Sequence, residues 1–179
     1  YRYKLLNEKL PDNFTIEMKN PDQGKNILLF SLESMAEKYI KLVDPYFFPS
    51  ELELFKDIPD DIEIRVITYA LGLEEYKDKL NEFRKKLAEL RESRYAPVLV
   101  KLIKFANRSQ TPIHDRALFS SDWGLSFSNS LSQIGSKHDI VVRRILSKER
   151  EVTDFDDFWF IGTEAKRGGK ILKISVIDL

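Results

Sequence analysis

Residues 111–137 contain one of the two histidines of the chain, within the tripeptide His114-Asp115-Arg116. If residues 112–120 form a β-strand, successive side chains alternate between faces, so that His114 and Arg116 point the same way and Asp115 points the opposite way. An imidazole and a guanidinium would then lie side by side. The alternative on spacing alone is a polar strand end with a solvated histidine and arginine, because His-x-Arg triplets are common.

The composition of the chain restricts the classes of protein to which it can belong. Of its 179 residues, 42% are hydrophobic and 12% are aromatic, which is enough for the core of one domain. Lysine and arginine together number 29, as do aspartate and glutamate, so the net charge is zero. Because such a chain does not capture nucleic acid or membranes through its overall field, any anion site must be local.

Cysteine is absent, which excludes disulfides and thiolate metal sites and fits a cytoplasmic protein. With two histidines, a histidine-rich metal centre is not expected, and we predict no metal or other cofactor. No apolar run approaches the roughly 18 residues of a membrane span, and no signal-peptide pattern opens the chain. Because the chain starts with Tyr1 rather than methionine, we expect a fragment of a larger protein, with one domain over residues 1–179 and residues 1–20 as an extension.

Hydrophobic periodicity predicts an α/β fold with one mixed sheet flanked by helices on both faces. The early strands alternate with helices, whereas the later strands follow one another directly. Helices are expected at residues 23–38, 50–55 and 73–93, and around residues 155–161, with Asn20 or Asp22, Ser50, and Thr153 or Asp154 as caps for the first, second and last of these. Strands are expected at residues 14–18, 39–43, 62–68, 97–105, 112–120, 123–128, 139–145 and 170–177.

The helix at residues 73–93 has the clearest pattern. Its apolar residues recur at spacings of four, three, four and three, which gives one apolar stripe. The opposite face carries charged residues, Lys85 among them, and is expected to be solvated. A heptad seam between two chains would use the same stripe, although the run is short for one. The stripe residues are Tyr76, Leu80, Phe83, Leu87 and Leu90.

An aromatic loop follows the strand at residues 39–43. The chain must turn at Asp44-Pro45, because proline cannot donate a hydrogen bond to a strand ladder. The loop continues through residues 46–49, which are Tyr-Phe-Phe-Pro. Two interpretations remain open for it, a hydrophobic plug over the sheet edge and the lining of a functional site.

Several segments, taken in order, resemble the phospholipase D superfamily. Residues 39–47, YIKLVDPYF, resemble its first strand, which often ends in Asp-Pro-Tyr. Residues 113–116, IHDR, resemble the His-x-Lys signature in the His-Asp-Arg form of the phospholipase D-like C-terminal domain of MIT-domain proteins and of uncharacterised prokaryotic members. Residues 128–131 and 134–137 resemble the Gly-x-Ser-Leu and Gly-Lys-Lys segments that follow the signature.

The chain also departs from the family pattern. Arg116 stands in place of the motif lysine, Ser121 in place of its aspartate, and Ser128 in place of the glycine of the phosphate-binding turn. Active members of the family bring two motifs together, from two halves of one chain or from a dimer. This chain has one motif, since His138 does not lie in a second copy.

The resemblance implies a site that handles phosphate. His114 would be the nucleophile, because an imidazole that is neutral near pH 7 can attack phosphorus. Arg116 would hold the phosphoryl oxygens through paired hydrogen bonds, and being always charged it cannot donate the proton needed by the leaving group. Fixed cations of this kind offset the charge that grows in the transition state. The resemblance further implies phosphate contacts from Ser128, Asn129, Ser130 and Lys137, with Asp44 and Tyr46 lining the site.

These residues can converge only if the chain folds back on itself. Residues 112–120 and 123–128 are joined by a short turn, so we expect a hairpin that returns residues 128–130 to the side of His114 and Arg116. The turn at Gly135 should then fold Lys137 over the same pocket.

Three functions remain open on the sequence alone. The first is a phosphodiesterase, of nuclease or phospholipid type, that acts as a homodimer with two copies of His114 facing one phosphate. The second is a catalytically silent module that binds an anionic ligand, either a nucleic-acid backbone or a phospholipid headgroup, or binds a protein. The third is a folding or oligomerisation domain without a ligand. Fold analogy cannot choose among them, because function depends on the site.

Overall fold

An eight-stranded mixed sheet organises the chain. The computed structural model describes residues 12–35, 37–105, 116–121, 123–135, 138–145, 155–160, 164–167, 170–173 and 175–178. The elements in chain order are β1 (Asn13–Ile16), α1 (Pro21–Met35), β2 (Tyr39–Val43), β3 (Glu63–Leu71), α2 (Gly72–Arg91), β4 (Val98–Phe105), β5 (Ala117–Phe119), β6 (Gly124–Phe127), β7 (Ile140–Ile145), α3 (residues 155–159), β8 (Glu164–Arg167), β9 (Lys170–Lys173) and β10 (Ser175–Asp178). Short 3-10 helices cover Pro49–Phe55 and Leu131–Gln133.

The strand order is β1-β7-β6-β5-β2-β3-β4-β10, which confirms the predicted mixed sheet. The strands β2, β3 and β4 are parallel to one another, and every other pair in this sheet is antiparallel. Because β5 pairs with both β2 and β6, it joins the parallel half to the antiparallel half.

Both faces of the sheet are covered by helices, as predicted. One core holds side chains from α1, α2 and the first 3-10 helix, and in it Phe47 stacks between Phe55 and Phe83 at ring-centre distances of 6.1 and 6.4 Å. The second core lies on the opposite side of the strands and is closed by Phe155 of α3. There Lys41 Nζ lies 2.7 Å from an Asp156 carboxylate oxygen, which ties α3 to β2.

Two expectations about strands need correction. The pattern of β3 predicts one buried face, but the strand is buried without a break from Val66 to Ala70, because it lies between two parallel strands under helices on both faces. Residues 170–177 are not one strand: β9 pairs with β8 in a separate hairpin, whereas β10 pairs with β4. Of the strand predicted at residues 112–120, Ala117–Phe119 forms β5, and residues 112–115 lie outside the described residues.

Two helix starts also differ from the prediction. The helix α1 begins at Pro21 rather than at residue 23, because proline is well suited to the first turn of a helix, where its missing N–H is not needed. The first 3-10 helix is capped by Phe48 rather than by Ser50, and the Glu51 carboxylate accepts a hydrogen bond from the Phe48 backbone N–H. The caps expected at residues 153 and 154 lie outside the described residues. Within the described part of the chain, no helix is long and apolar enough to cross a membrane.

The helix α2 confirms the predicted apolar stripe. Tyr76, Phe83, Leu87 and Leu90 are buried, and Lys85 on the opposite face is exposed. Beyond its end, the Arg94 guanidinium donates to the backbone carbonyls of the loop before β3, at 2.8–3.2 Å. The helix is therefore held by its apolar face and by the loop against which it ends.

We predict that Phe83→Ala lowers the free energy of unfolding by about 3–5 kcal/mol, because the ring is fully buried and truncation leaves a cavity. The matched change Lys85→Ala on the exposed face should alter it by less than about 0.5 kcal/mol. Chemical denaturation followed by circular dichroism measures both values. Equal losses for the two variants would contradict the assigned burial of α2.

Candidate functional site

The carboxylate of Asp44 lies at the end of β2 and is fully buried. Ser130 Oγ donates a hydrogen bond of 2.7 Å to its Oδ2, and the Leu131 backbone N–H donates one of 2.8 Å to the same oxygen. The Tyr46 backbone N–H donates to Oδ1 at 3.0 Å. One carboxylate therefore ties the end of β2 to the connection between β6 and β7, which lies 86 residues further along the chain.

Two opposing effects act on the ionisation of Asp44. Burial raises the pKa of this carboxyl above its ordinary value of 3.8, because the charged form loses its hydration. The donors from Ser130, Leu131 and Tyr46, together with the nearby charge of Arg116, lower the pKa, but burial outweighs them.

Arg116 comes directly before β5 and faces the aromatic loop. Its backbone carbonyl accepts a hydrogen bond of 2.9 Å from the Phe127 N–H, which confirms the predicted hairpin of β5 and β6. The guanidinium carbon lies 5.5 Å from the centre of the Tyr46 ring. Its Nε is buried and has no hydrogen-bond partner in the structure as described. An unsatisfied buried donor is costly, so a ligand that accepts a hydrogen bond there would be favoured.

The aromatic loop carries one buried ring and one ring that faces Arg116. Phe47 is fully buried and plugs the first core, whereas Tyr46 turns towards Arg116. The Thr68 hydroxyl lies 3.2 and 3.1 Å from the backbone carbonyls of Pro45 and Phe47, within hydrogen-bonding distance of both. The loop is thus fixed to β3 at two points, and the position of the Tyr46 ring is defined by the fold.

The serines of the predicted site have roles within the fold. The Ser130 hydroxyl caps the 3-10 helix at Leu131–Gln133, and its proton is directed to Asp44. Ser128 Oγ accepts a hydrogen bond of 2.9 Å from the Val141 N–H and continues the pairing of β6 with β7. Since a hydroxyl both donates and accepts, Ser128 keeps a proton that could be given to a ligand, whereas Ser130 does not. Asn129 is half-buried between them.

The structure brings Asp44, Tyr46, Arg116 and Ser130 together at one edge of the sheet. His114 and Lys137 lie outside the described residues, so their convergence on this edge stays a prediction. Ser121, which stands in place of the motif aspartate, lies in the β5–β6 turn, at the opposite end of β5 from Arg116, where its hydroxyl donates to the Glu37 carboxylate at 3.3 Å.

Sequence reasoning missed a second group of ionisable residues. Lys79 of α2 is 4% exposed, and its ammonium lies 2.8 Å from the Tyr69 carbonyl oxygen and 3.3 Å from Glu75 Oε1. Burial lowers the pKa of Lys79 and raises the pKa of Glu51, and the charge of Asp44 acts on both. The signal was present, because Lys79 lies three residues after Tyr76 and four before Phe83, which places it on the buried face of the helix. Over the described ranges, no group of three or more acidic, histidine or cysteine side chains is placed to hold a metal ion.

Comparison with known proteins places the fold. No protein-family model and no curated protein matches the chain. Among solved structures, it is similar to NucT from Helicobacter pylori, with a TM-score of 0.54 and 11% identity over 82% of this chain and 94% of NucT. It is also similar to Nuc from Salmonella typhimurium, a phospholipase D family member, with a TM-score of 0.50 and 14% identity over 75% of this chain and 86% of Nuc. The chain therefore has a phospholipase D-like fold.

A third similar structure belongs to a longer chain. TrmBL2, an archaeal chromatin protein described with a novel mode of DNA binding, matches 88% of this chain with 11% identity and a TM-score of 0.45. This chain covers 56% of the TrmBL2 chain, or about half of its length.

We predict that the stability of the wild type relative to Asp44→Asn falls as the pH rises. A group whose pKa is raised by folding stabilises the folded state below its unfolded pKa, here about 3.8, and that stabilisation is lost as the pH rises through the folded pKa. Melting temperatures of both proteins between pH 4 and pH 8 measure the difference. The exposed Asp57→Asn change is the control. A difference that grows in favour of the wild type with rising pH would show that the donors outweigh burial.

Proposed function

We propose that this chain is a phospholipase D-like phosphodiesterase that holds a phosphodiester group at Arg116 and attacks it with His114 in a homodimer. The observation that carries the proposal is the buried Nε of Arg116, which has no hydrogen-bond partner among the described residues, in a guanidinium packed against Tyr46 of the loop after β2. The phospholipase D-like fold supports the same reaction class. The substrate would be a nucleic acid or a phospholipid, encountered in the cytoplasm.

Arg116 suits this role because its guanidinium is held against Tyr46 and its charge is not used in an ion pair with a described carboxylate. In the described residues no ion pair engages its guanidinium, and the nearby carboxylate of Asp44 is already occupied by three hydrogen-bond donors. A guanidinium can bind two phosphoryl oxygens in parallel, and such charge-assisted pairs are stronger than neutral hydrogen bonds. Ser128 could add a neutral donor, with Asn129 and Lys137 as further contacts.

The proposed chemistry needs two imidazoles. A ring nitrogen of His114 forms a bond to phosphorus while the bond from phosphorus to the leaving oxygen breaks, and that oxygen takes a proton from His114 of the partner subunit. Water then attacks phosphorus and gives its proton to His114 of the partner subunit, while the bond from phosphorus to the His114 nitrogen breaks and releases the imidazole. Arg116 cannot supply the proton, because an arginine guanidinium keeps its proton in proteins. A second subunit supplies the imidazole that the single motif lacks.

A catalytically silent anion-binding module is the second candidate. Two serines favour it. The Ser130 hydroxyl donates its proton to Asp44 and so has none for a ligand. Ser121 stands where the family motif has an aspartate, and its hydroxyl contacts Glu37. In this version Arg116 retains the anion and His114 performs no chemistry.

We predict that Arg116→Ala abolishes turnover and weakens binding of a phosphodiester about 10-fold or more, the loss expected for a charged hydrogen-bonding group. His114→Ala should abolish turnover while binding stays measurable. Hydrolysis of bis(p-nitrophenyl) phosphate and of single- and double-stranded DNA, with binding measured by calorimetry, tests both variants. Arg84→Ala, an exposed arginine of α2, is the matched control.

The outcomes separate the candidates. Full activity in His114→Ala would show that the nucleophile is wrongly assigned. Binding without turnover in the wild type would favour the silent module. Normal binding by Arg116→Ala would show that the anion site lies elsewhere. Sedimentation of the wild type tests the homodimer, since a monomer with full activity contradicts the two-imidazole scheme.

A further inference from the structure

The side chain of Phe48 is 43% exposed, although the neighbouring Phe47 is fully buried. Within the loop at residues 44–49 it is the one large apolar side chain that is exposed. Exposing an aromatic ring to water is unfavourable, and a ligand that covered the ring would recover part of that free energy.

The exposure of Phe48 does not come from a loose loop. Its backbone N–H donates to the Glu51 carboxylate, and its backbone is extended, with φ −101° and ψ 159°. The preceding carbonyl, that of Phe47, lies within hydrogen-bonding distance of the Thr68 hydroxyl. The backbone that carries the ring is therefore fixed, so little backbone entropy is lost when a ligand packs against the ring.

A buried cation lies under the Phe48 ring. The ammonium of Lys79 is 4.7 Å from the ring centre and is held there by the Tyr69 carbonyl and by Glu75. Because Lys79 is buried, the exposed part of the ring is the part turned away from it. The ring thus has one side supported by a cation–π contact and another side open to solvent.

The open ring is carried by the same loop that contacts the proposed phosphate anchor. Tyr46, which contacts the Arg116 guanidinium, precedes Phe48 by two residues, and two residues span at most about 7 Å. An extended ligand held by Arg116 could then reach the Phe48 ring with a group further along its chain.

We propose that Phe48 is a stacking platform for an unpaired base of a single-stranded nucleic acid whose phosphate is held by Arg116. This inference rests on the proposed function and names its substrate class. Every base has an aromatic face, and bases in single strands are free to leave the stack and pack on aromatic side chains. Bases inside a duplex are already stacked on their neighbours and are closed to such a contact.

The surroundings of Phe48 favour a nucleic acid over a lipid surface. Membrane-binding surfaces combine several apolar side chains with a basic rim. In the described loop the neighbours Phe47 and Pro49 are buried, so the ring stands alone. The carboxylates of Glu51 and Glu75 lie on its flanks and would repel an anionic bilayer that approached as a broad surface. A single strand can present one phosphate to Arg116 and one base to Phe48.

The test measures binding of a ten-nucleotide DNA strand and of an abasic strand of the same length, which has the same phosphates without bases. Fluorescence anisotropy in the full chain carrying His114→Ala keeps the strands intact. Phe48→Ala should weaken binding of the base-bearing strand about 5-fold or more and leave the abasic strand unchanged, as expected for the loss of one stacked base. Phe48→Trp should retain the binding.

The matched control is Tyr95→Ala. Tyr95 is 92% exposed and precedes β4, so it lies at the opposite edge of the parallel strands, and its loss should change neither affinity. Phe48→Leu keeps apolar bulk without a ring and should behave as Phe48→Ala does, which preserves the test if the alanine variant unfolds.

Two results would overturn the inference. The first is that Phe48→Ala and Phe48→Leu bind the base-bearing strand as tightly as the protein with Phe48 does. If Arg116→Ala then still weakens binding of both strands, the proposed function survives. Loss of binding to phosphatidylglycerol vesicles, but not to the strands, in the Phe48 variants would assign the ring to a lipid surface instead. Normal binding of both strands by Arg116→Ala would instead remove the proposed function itself.

Discussion

The hydrogen bonds to the Asp44 carboxylate are the constraint on which the site depends. A buried carboxylate is stable only when its oxygens are satisfied, and here the side chain of Ser130 and the backbone of Leu131 supply two of the three donors. These donors come from the antiparallel half of the sheet, whereas Asp44 ends a strand of the parallel half. The strand β5 lies between the halves, so Arg116 at its start is placed by the same contacts.

The site lies where the parallel strands end, the edge at which sheets of this kind usually bind ligands. The loop after β2 combines anchoring and presentation, because Phe47 is buried between two phenylalanine rings while Tyr46 faces Arg116. This division explains how a short loop can be rigid and still offer aromatic surface to a ligand. The rings of this loop alternate between inward and outward positions, and the loop is held by the Thr68 hydroxyl at the carbonyls of Pro45 and Phe47.

Charge is distributed unevenly around this edge, although the chain as a whole is neutral. The charges of Asp44, Glu51 and Lys79 act on one another. Burial raises the pKa of the two carboxyl groups and lowers the pKa of Lys79, and each shift favours the uncharged form. An arginine guanidinium keeps its charge in proteins, so Arg116 supplies a positive charge beside these three residues. A local cation at an edge of mixed charge fits a site for one phosphate group better than a surface for general electrostatic attraction.

The sequence by itself determined the clearest amphipathic helix and the end of one strand. The stripe from Tyr76 to Leu90 predicted α2, and Asp44-Pro45 predicted the end of β2, because side-chain periodicity and the chemistry of proline are local properties. Only the tertiary structure decided which partners these elements meet. It buried both faces of β3, separated β9 from β10, directed the proton of Ser130 to Asp44 and placed Lys79 beneath Phe48. A one-dimensional pattern reports that a face is buried or a segment is extended, but pairing and hydrogen-bond partners depend on residues distant in the chain, and these are brought together only by folding.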